Sequence, residues 1–510
     1  MTARRGHRWY APGDWNAFCG LALDNLTQLV ILSSLLIGVF GFPADLVLGV
    51  MVPGTAAGVL VGDLAYSYLA IRLMRAEGRA DVTAMPFGID TPSLFGMVFG
   101  VLGPAMLATR DPVLAWKIGM AVTVAMGVVK LALAWTGDWA RRALPRAALL
   151  GSIAGVAVLL IAFLPSLKIF ADPLVGLTAL VLVLAALVGG VRMPLGVPGA
   201  LFAVAVATAL YWGRALLGLG PPHPAVAASW GLVLPWPTLA WIEALDEALV
   251  YLPLALPFAV ATVIGGIDNT ESAAAAGDEY RARDILLTEA VATIAAGAAG
   301  GVIQNTPYIG HPAYKAMGAR VGYTVATALV IGAGAAVGGV SLLVSVLPEA
   351  AVAPILVFIG LSITGQAFLA SPARHATAVA LAFIPAVAQV SLIVGNQLLS
   401  AAGKAAADLT GPGRATYDGL LLLGNGFVLT ALLWGTVLTF VVERRLRRAA
   451  GVLLVAGTAT LCGFIHSPLP TGAIFWPLDP PGGAPLAVAG AYGAAAVALW
   501  ALGRGGAQGA

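Results

Sequence analysis

Two short stretches of this sequence place carboxyl groups inside apolar runs that would otherwise read as membrane helices. Leu23-Asp24-Asn25-Leu26-Thr27-Gln28 lies in the first apolar run, and Ile267-Asp268-Asn269-Thr270-Glu271-Ser272 lies in one near the middle of the chain. Each sets Asp-Asn after an apolar residue, with further polar groups one helical turn on. A carboxylate buried in hydrocarbon is costly unless it is paired, protonated or hydrated. Such a group can also exchange a proton and accept an N–H from a bound solute. Asp268 is the first candidate for both substrate binding and proton coupling. Its competing role is a structural carboxylate bonded to core backbone. Glu271 lies one turn on and shares its helix face. It is a second coupling candidate that would share one proton with a nearby Asp268, or a solvated residue at the cytoplasmic end.

A second pair of stretches breaks two apolar runs. The first is Asp81-Val-Thr-Ala-Met-Pro-Phe-Gly-Ile-Asp-Thr-Pro92; the second is Gln304-Asn-Thr-Pro-Tyr-Ile-Gly-His-Pro312. Each carries a Pro-aromatic pair (Pro86-Phe87, Pro307-Tyr308), a nearby glycine (Gly88, Gly310) and a later proline (Pro92, Pro312). Proline blocks helix through the residues before it but is tolerated in a first turn. Each stretch therefore predicts a short extended piece followed by a half-helix, a backbone that survives at membrane depth only against a cavity or under protein cover. Phe87 and Tyr308 could sandwich a planar ring or simply pack as core aromatics. Backbone N–H groups around Phe87–Gly88 and Ile309–Gly310 could bind carbonyl oxygens. His311 could relay protons or bond substrate, or be a satisfied core histidine. Asn25 could bond Asp268 or the substrate, and Asn305 could cap the half-helix. Asp63 and Asp90 are further intramembrane acids, with Lys130 as one partner for Asp63.

The elements that must position these groups follow from composition. Of 510 residues, 60% are hydrophobic, mean hydropathy is +0.93, and charged residues make up 10%, against roughly 25% in soluble domains. That excludes a cytosolic enzyme, a nucleic-acid binder, which needs a basic face, and a disordered chain. The two cysteines, Cys19 and Cys462, have no partners at metal-ligand spacing and imply no disulfide framework. No metal or cofactor is expected. Apolar stretches of about 20 residues fall near 16–40, 46–74, 91–109, 113–135, 146–165, 173–190 and 197–217. They recur near 249–275, 284–302, 308–319, 321–347, 351–370, 375–396 and 418–442, with two more near 450–466 and 485–503. The basic start leads into a span too long and polar for a cleavable signal peptide.

Threaded from a cytoplasmic N-terminus, this arrangement puts about 20 of the 27 basic residues on one side, as the positive-inside rule requires. Both termini are then cytoplasmic, in an inner (plasma) membrane. Residues 219–248 read as a Pro-rich external linker with an interfacial amphipathic helix. The linker separates a seven-span block, 1–218, from a second, 249–445; residues 446–510 add two helices. An odd number of spans per block inverts the second against the first, and matched broken helices in such repeats mark the substrate site.

The sequence resembles the nucleobase transporter superfamily, nucleobase-cation symporter-2 type, which includes uracil and xanthine permeases and an adenine/guanine/hypoxanthine branch. Distant relatives are sulfate- and bicarbonate-type anion transporters. The resemblance rests on Gly20-Leu-Ala-Leu-Asp-Asn-Leu26, on Asp268, and on the run from Pro307 to Gly322. It implies an all-α polytopic fold of about fourteen spans in two inverted sevens. A core domain (about 16–138 and 249–347) would hold the substrate, and a gate domain (about 146–217 and 351–442) would form a homodimer. Alternating access would be elevator-like. Implied site residues are Asp268, with Ser272 as the second polar group of that span. The family's other carboxylate aligns with Gly310 or His311, and Glu271 stands where a small residue is usual. The expected function is import of a nucleobase or similar polar heterocycle, coupled to protons or sodium, across the lipid bilayer and without a nucleic-acid partner. The alternative is a small-anion transporter or exchanger (sulfate, bicarbonate or carboxylate), because paired helix N-termini suit anions. An enzyme finds no triad or metal cluster in the sequence, and a channel would not require symmetric broken helices.

Overall fold

The computed structural model describes residues 9–38, 40–194, 197–219, 234–340 and 346–505. Among the described residues, the regular structure is helical apart from one two-stranded sheet. This follows from the solvent: within hydrocarbon every backbone N–H and C=O must be satisfied inside the protein. The first block runs α1 (Gly13–Gly38), α2 (Ala44–Glu77), β1 (Phe87–Ile89), α3 (Thr91–Met97), α4 (Gly103–Thr109) and α5 (Pro112–Leu133). It ends with α6 (Arg146–Ala171), α7 (Pro173–Leu187) and α8 (Gly199–Leu216).

The second block repeats that order. It runs α9 (Leu252–Ala275), α10 (Ala282–Ala298), β2 (Asn305–Pro307), α11 (His311–Ala316) and α12 (Gly322–Ala336). Then come α13 (Glu349–Leu369), α14 (Ala373–Ala401), α15 (Gly411–Gly424) and α16 (Phe427–Val442). A terminal hairpin, α17 (Leu446–Leu461) and α18 (Ala484–Gly505), packs on α16 through Leu433, Ala456 and Ile465, and Ala450, Leu453 and Ala496. The protein is an all-α polytopic membrane protein.

Eight of the described helices are long and apolar enough to cross a membrane, nine if α15 and α16, bent by 71°, count as one. Fourteen plus two elements were expected; α7, α10 and α17 are shorter, at 15, 17 and 16 residues, and two further spans are interrupted for local reasons. In α11 only six residues are helical before Met317 and Gly318 end it, Gly318 at φ +78°. In α15–α16 the break falls at Asn425–Gly426, where Gly426 adopts φ +73°.

Both interrupted spans form the expected extended pieces, and these pair with each other. β1 and β2 run antiparallel, with Phe87 opposite Pro307, Gly88 opposite Thr306 and Ile89 opposite Asn305. Each strand supplies hydrogen-bond partners that lipid cannot. Gly88 admits no side chain there, because a Cβ would overlap Asn25 and the Tyr308 ring.

The linker between the two blocks holds less helix than expected. Residues 220–233 lie outside the described residues. In the remainder, the interfacial helix reduces to a 3₁₀ turn (Ala240–Ala244) and one helical turn (Leu245–Ala248). Glu243 of this piece pairs with Lys117 of α5.

Candidate functional site

The two Asp-Asn motifs occupy equivalent places on α1 and α9. In each, the asparagine holds a strand. Asn25 donates its amide to Phe87 O at 3.3 Å, and Asn269 donates to Pro307 O at 2.7 Å. Asn25 Oδ1 also accepts from Ile89 N–H (3.3 Å) and the Tyr308 hydroxyl (3.4 Å). Asn25 is therefore a backbone clamp, and its hydrogen bonds go to Leu21, Phe87, Ile89 and Tyr308 and not to Asp268. Asn269 has the same task and was not singled out in the sequence, although its repeat of Asn25 was the available signal.

The adjacent aspartates line a shared cavity. Asp24, Asp268, Asn269, Thr262, Thr306 and Tyr308 line one side of a space of about 90 Å³; Ile153 and Val156 of α6, Ile359 of α13 and Phe427 of α16 line another. Asp268 is 1% exposed. The Ser152 hydroxyl of α6 donates to its Oδ2 at 2.5 Å, while Oδ1 has no hydrogen bond within the protein. The cavity thus offers an acceptor that a solute or proton can use. Among the described residues lining it there is no Lys, Arg or His.

Several expected site residues lie elsewhere. Phe87 is fully buried and turns away from the cavity: its ring meets Tyr66 edge-on at 5.1 Å and leaves no room for a Cβ on Gly62. A Phe87–Tyr308 sandwich is therefore not formed. Tyr308 does line the cavity, and Phe258 and Phe427 supply its other aromatic surfaces. Gly88 sits behind the site, beneath Asn25 and Tyr308. Gly310 begins α11 against Tyr314 and Ile359. Asn305 does not cap α11; it lies in β2, and its carbonyl accepts from Lys130 Nζ at 2.9 Å.

His311 belongs to a separate cluster around Asp278, in the connection between α9 and α10. Asp278 receives His311 Nε2 at 3.0 Å, Lys315 Nζ at 2.5 Å, Arg79 at 3.0 Å and the Thr83 N–H at 3.0 Å. Burial pushes the Asp278 carboxyl up, but the hydrogen bond and charge of His311, with Lys315 and Thr83, outweigh it and hold it below the usual carboxylate range. This arrangement ties α11 to the end of α9 and removes His311 from the cavity.

Glu271 and Ser272 link α9 to its neighbours. Glu271 pairs with Arg146 at the start of α6, and Ser272 donates to Gln366 of α13 at 2.8 Å, with Gln366 returning a bond to the Ser272 carbonyl at 3.1 Å. Glu271 and Ser272 do not line the cavity.

The remaining intramembrane charges are also placed. Lys130 pairs with Glu289 of α10 at 2.8 Å, both fully buried, and not with Asp63. Glu289 lies within the apolar run of α10, where spacing along the chain gives no sign of its partner. Both carboxylate oxygens of Asp63 lack a hydrogen bond within the protein. Asp90 caps the start of α3, accepting from Ser93 N–H at 2.9 Å and from the Ser93 hydroxyl. One of the two helix N-termini that suited an anion is therefore already occupied by a carboxylate, and the other opens a helix of six residues.

No protein-family model matches the chain, and no curated protein matches its sequence. Among solved structures it is similar to the transmembrane domain of BicA, a bicarbonate transporter from a cyanobacterium. That match is 14% identical, with a TM-score of 0.43, covering 83% of this chain and 97% of that one. It is also similar to SLC26A9, at 12% identity and a TM-score of 0.46, covering 73% of this chain and 62% of that one.

Proposed function

We propose that the protein is a secondary transporter that moves a small polar solute together with protons. The observation that carries this reading is the convergence of Asp24 and Asp268, from corresponding helices of the two blocks, on one cavity. A core of residues 16–138 and 249–347 carries both acids, and a gate of 146–217 and 351–442 supplies the facing apolar wall. Displacement of core against gate gives alternating access. The gate is also the surface through which two copies associate.

Asp268 is the coupling residue, since Oδ1 is unsatisfied and Ser152 holds only Oδ2. Asp24 is its counterpart. With acids and no cation at the cavity, a solute must offer N–H or O–H donors or arrive with a proton. This favours a nucleobase or related small heterocycle, with Tyr308, Phe258 and Phe427 as apolar faces and Asn269 and Thr306 as polar contacts.

One observation favours a second reading, transport of a small anion such as bicarbonate, sulfate or a carboxylate. The cavity, at about 90 Å³, is well below the roughly 300–1,000 Å³ usual for larger ligands. An anion would enter only with Asp24 and Asp268 neutralised by protons.

A thermal-shift screen of purified protein against purines, pyrimidines, ureides and small anions separates the two. Proteoliposome uptake of the stabilising solute then tests the mechanism: Asp268→Asn abolishes pH-driven uptake while the protein still folds. Retention of normal proton-driven uptake by that variant would overturn the coupling role.

A further inference from the structure

A second, larger chamber adjoins the carboxyl-lined cavity. It encloses about 430 Å³ and shares Phe258, Ala261, Phe427 and Val428 with the inner space. Its lining reaches the end of α14 that carries Asn396 and Ser400, opposite the end where Arg374 pairs with Glu443, the residue after α16. Its polar lining is amide and hydroxyl: Gln389, Asn396, Gln397, Tyr417, Asn425 and Thr471. Among the described lining residues none is charged. Gln389, half-buried, and Gln397, exposed, both line the chamber, and among the described residues neither side chain makes a hydrogen bond within the protein. The remaining walls are apolar.

The terminal hairpin builds one of these walls. Asn425, at the break between α15 and α16, donates its amide to Ser467 O at 2.7 Å and to Leu469 O at 2.9 Å. Gly426 has no room for a side chain because Phe464 O lies against it. Trp434 Nε1–H donates to the Tyr492 hydroxyl at 2.6 Å, and that hydroxyl meets His466 Nε2 at 2.7 Å. His466 Nδ1 lies 2.5 Å from Leu422 O. A carbonyl only accepts, so Nδ1 carries the proton and Nε2 accepts from Tyr492. The loop between α17 and α18 is thereby fixed to the α15–α16 break, with Thr471 over the chamber.

We propose that this outer chamber is a binding subsite in its own right. It takes an uncharged, partly apolar solute with amide-like donors and acceptors before that solute passes Phe258 and Phe427. Burying an ion in a chamber with no counter-charge is penalised, whereas a neutral solute pairs with Gln389 and Gln397 and covers the apolar walls. The inference rests on the transporter reading and sharpens it: the solute is uncharged when it arrives, and protons bind at the inner acids.

The test places a cysteine at Ile393, an apolar lining position (Ile393→Cys), in full-length protein carrying Cys462→Ser, the remaining Cys19 being buried. Labelling rates with neutral, cationic and anionic methanethiosulfonates are each normalised to free cysteine. The neutral reagent is expected to react about tenfold faster than either charged one, consistent with the cost of bringing a charge into such a chamber. Saturating hypoxanthine or uracil slows labelling at least about threefold, a fractional occupancy effect, and does so equally in the presence of Asp268→Asn. Thr471→Trp, at the exposed rim, blocks labelling without unfolding the protein. Equal rates for charged and neutral reagents, or protection by bicarbonate or sulfate but by neither uncharged probe, would overturn the proposal. Protection that vanishes with Asp268→Asn would also overturn it, while leaving the inner-cavity mechanism standing.

Discussion

The α1 and α9 regions carry the same Asp-Asn motif and use its asparagine alike, yet their surroundings differ. Asn25 and Asn269 each hold a carbonyl of an interrupted span. Around α9, however, Ser152, Arg146 and Gln366 tie Asp268, Glu271 and Ser272 to α6 and α13. Around α1 no bond to α6 or α13 is formed by Asp24 or Asn25 among the described residues. The comparison separates two tasks that a single motif had merged. The asparagines serve the backbone of the two broken spans, while the polar links on α9 tie that helix to α6 and α13.

The largest expected effect tests whether the shared framework depends on a buried charge pair. Lys130 and Glu289 are both fully buried, and Lys130 also holds the Asn305 carbonyl of β2. Lys130→Met leaves Glu289 unpaired and should cost roughly 3–5 kcal/mol, read as a fall in Tm or loss of folded protein. Adding Glu289→Gln should recover most of it. No recovery would mean that the pair matters through shape and not charge.

Next in size is a direct comparison of the two clamps. Asn25→Ala and Asn269→Ala each strand a buried carbonyl and should each cost about 1–3 kcal/mol. Asn25→Ala should be the more damaging, because Asn25 also receives Ile89 N–H and Tyr308. Thermal unfolding of the two variants side by side gives the ranking, and a reversed order would refute the assignment.

Asp278 offers a pH probe of the end of α9. Its carboxyl is held below the ordinary range, so it stabilises the folded state above the unfolded value, about pH 4, and that stability is lost as pH falls through the lower folded value. Asp278→Asn should lower Tm at neutral pH and flatten the decline at the acid end. An unchanged acid limb would remove Asp278 as its source.

The smallest stability effect is expected at Glu271. Arg146 is half exposed, so Glu271→Gln should change stability by no more than about 1 kcal/mol. If the contact restrains movement of α9 against α6, the variant should instead alter transport rate. A large loss of stability with an unchanged rate would make the pair structural.

Much of this was legible in the residues themselves. Composition specified a polytopic helical protein because a chain so poor in charge cannot cover a soluble surface. Pro86, Pro307 and the residues around them specified extended pieces, since proline restricts local backbone whatever lies around it. Asp24 and Asp268 stood out because ionisable groups in apolar runs are costly. All of these are local consequences of single residues and their near neighbours.

Partner choice was decided only by the tertiary structure. His311 went to Asp278, Lys130 to Glu289 and Phe87 to Tyr66, through contacts between residues far apart in sequence. Spacing along one chain carries no information on which of several helices will face a given side chain. The same holds for the hairpin α17–α18, whose composition shows only two more apolar helices. Its role as a wall of the outer chamber arises from Asn425, whose amide reaches across to the loop carbonyls once the helices have packed.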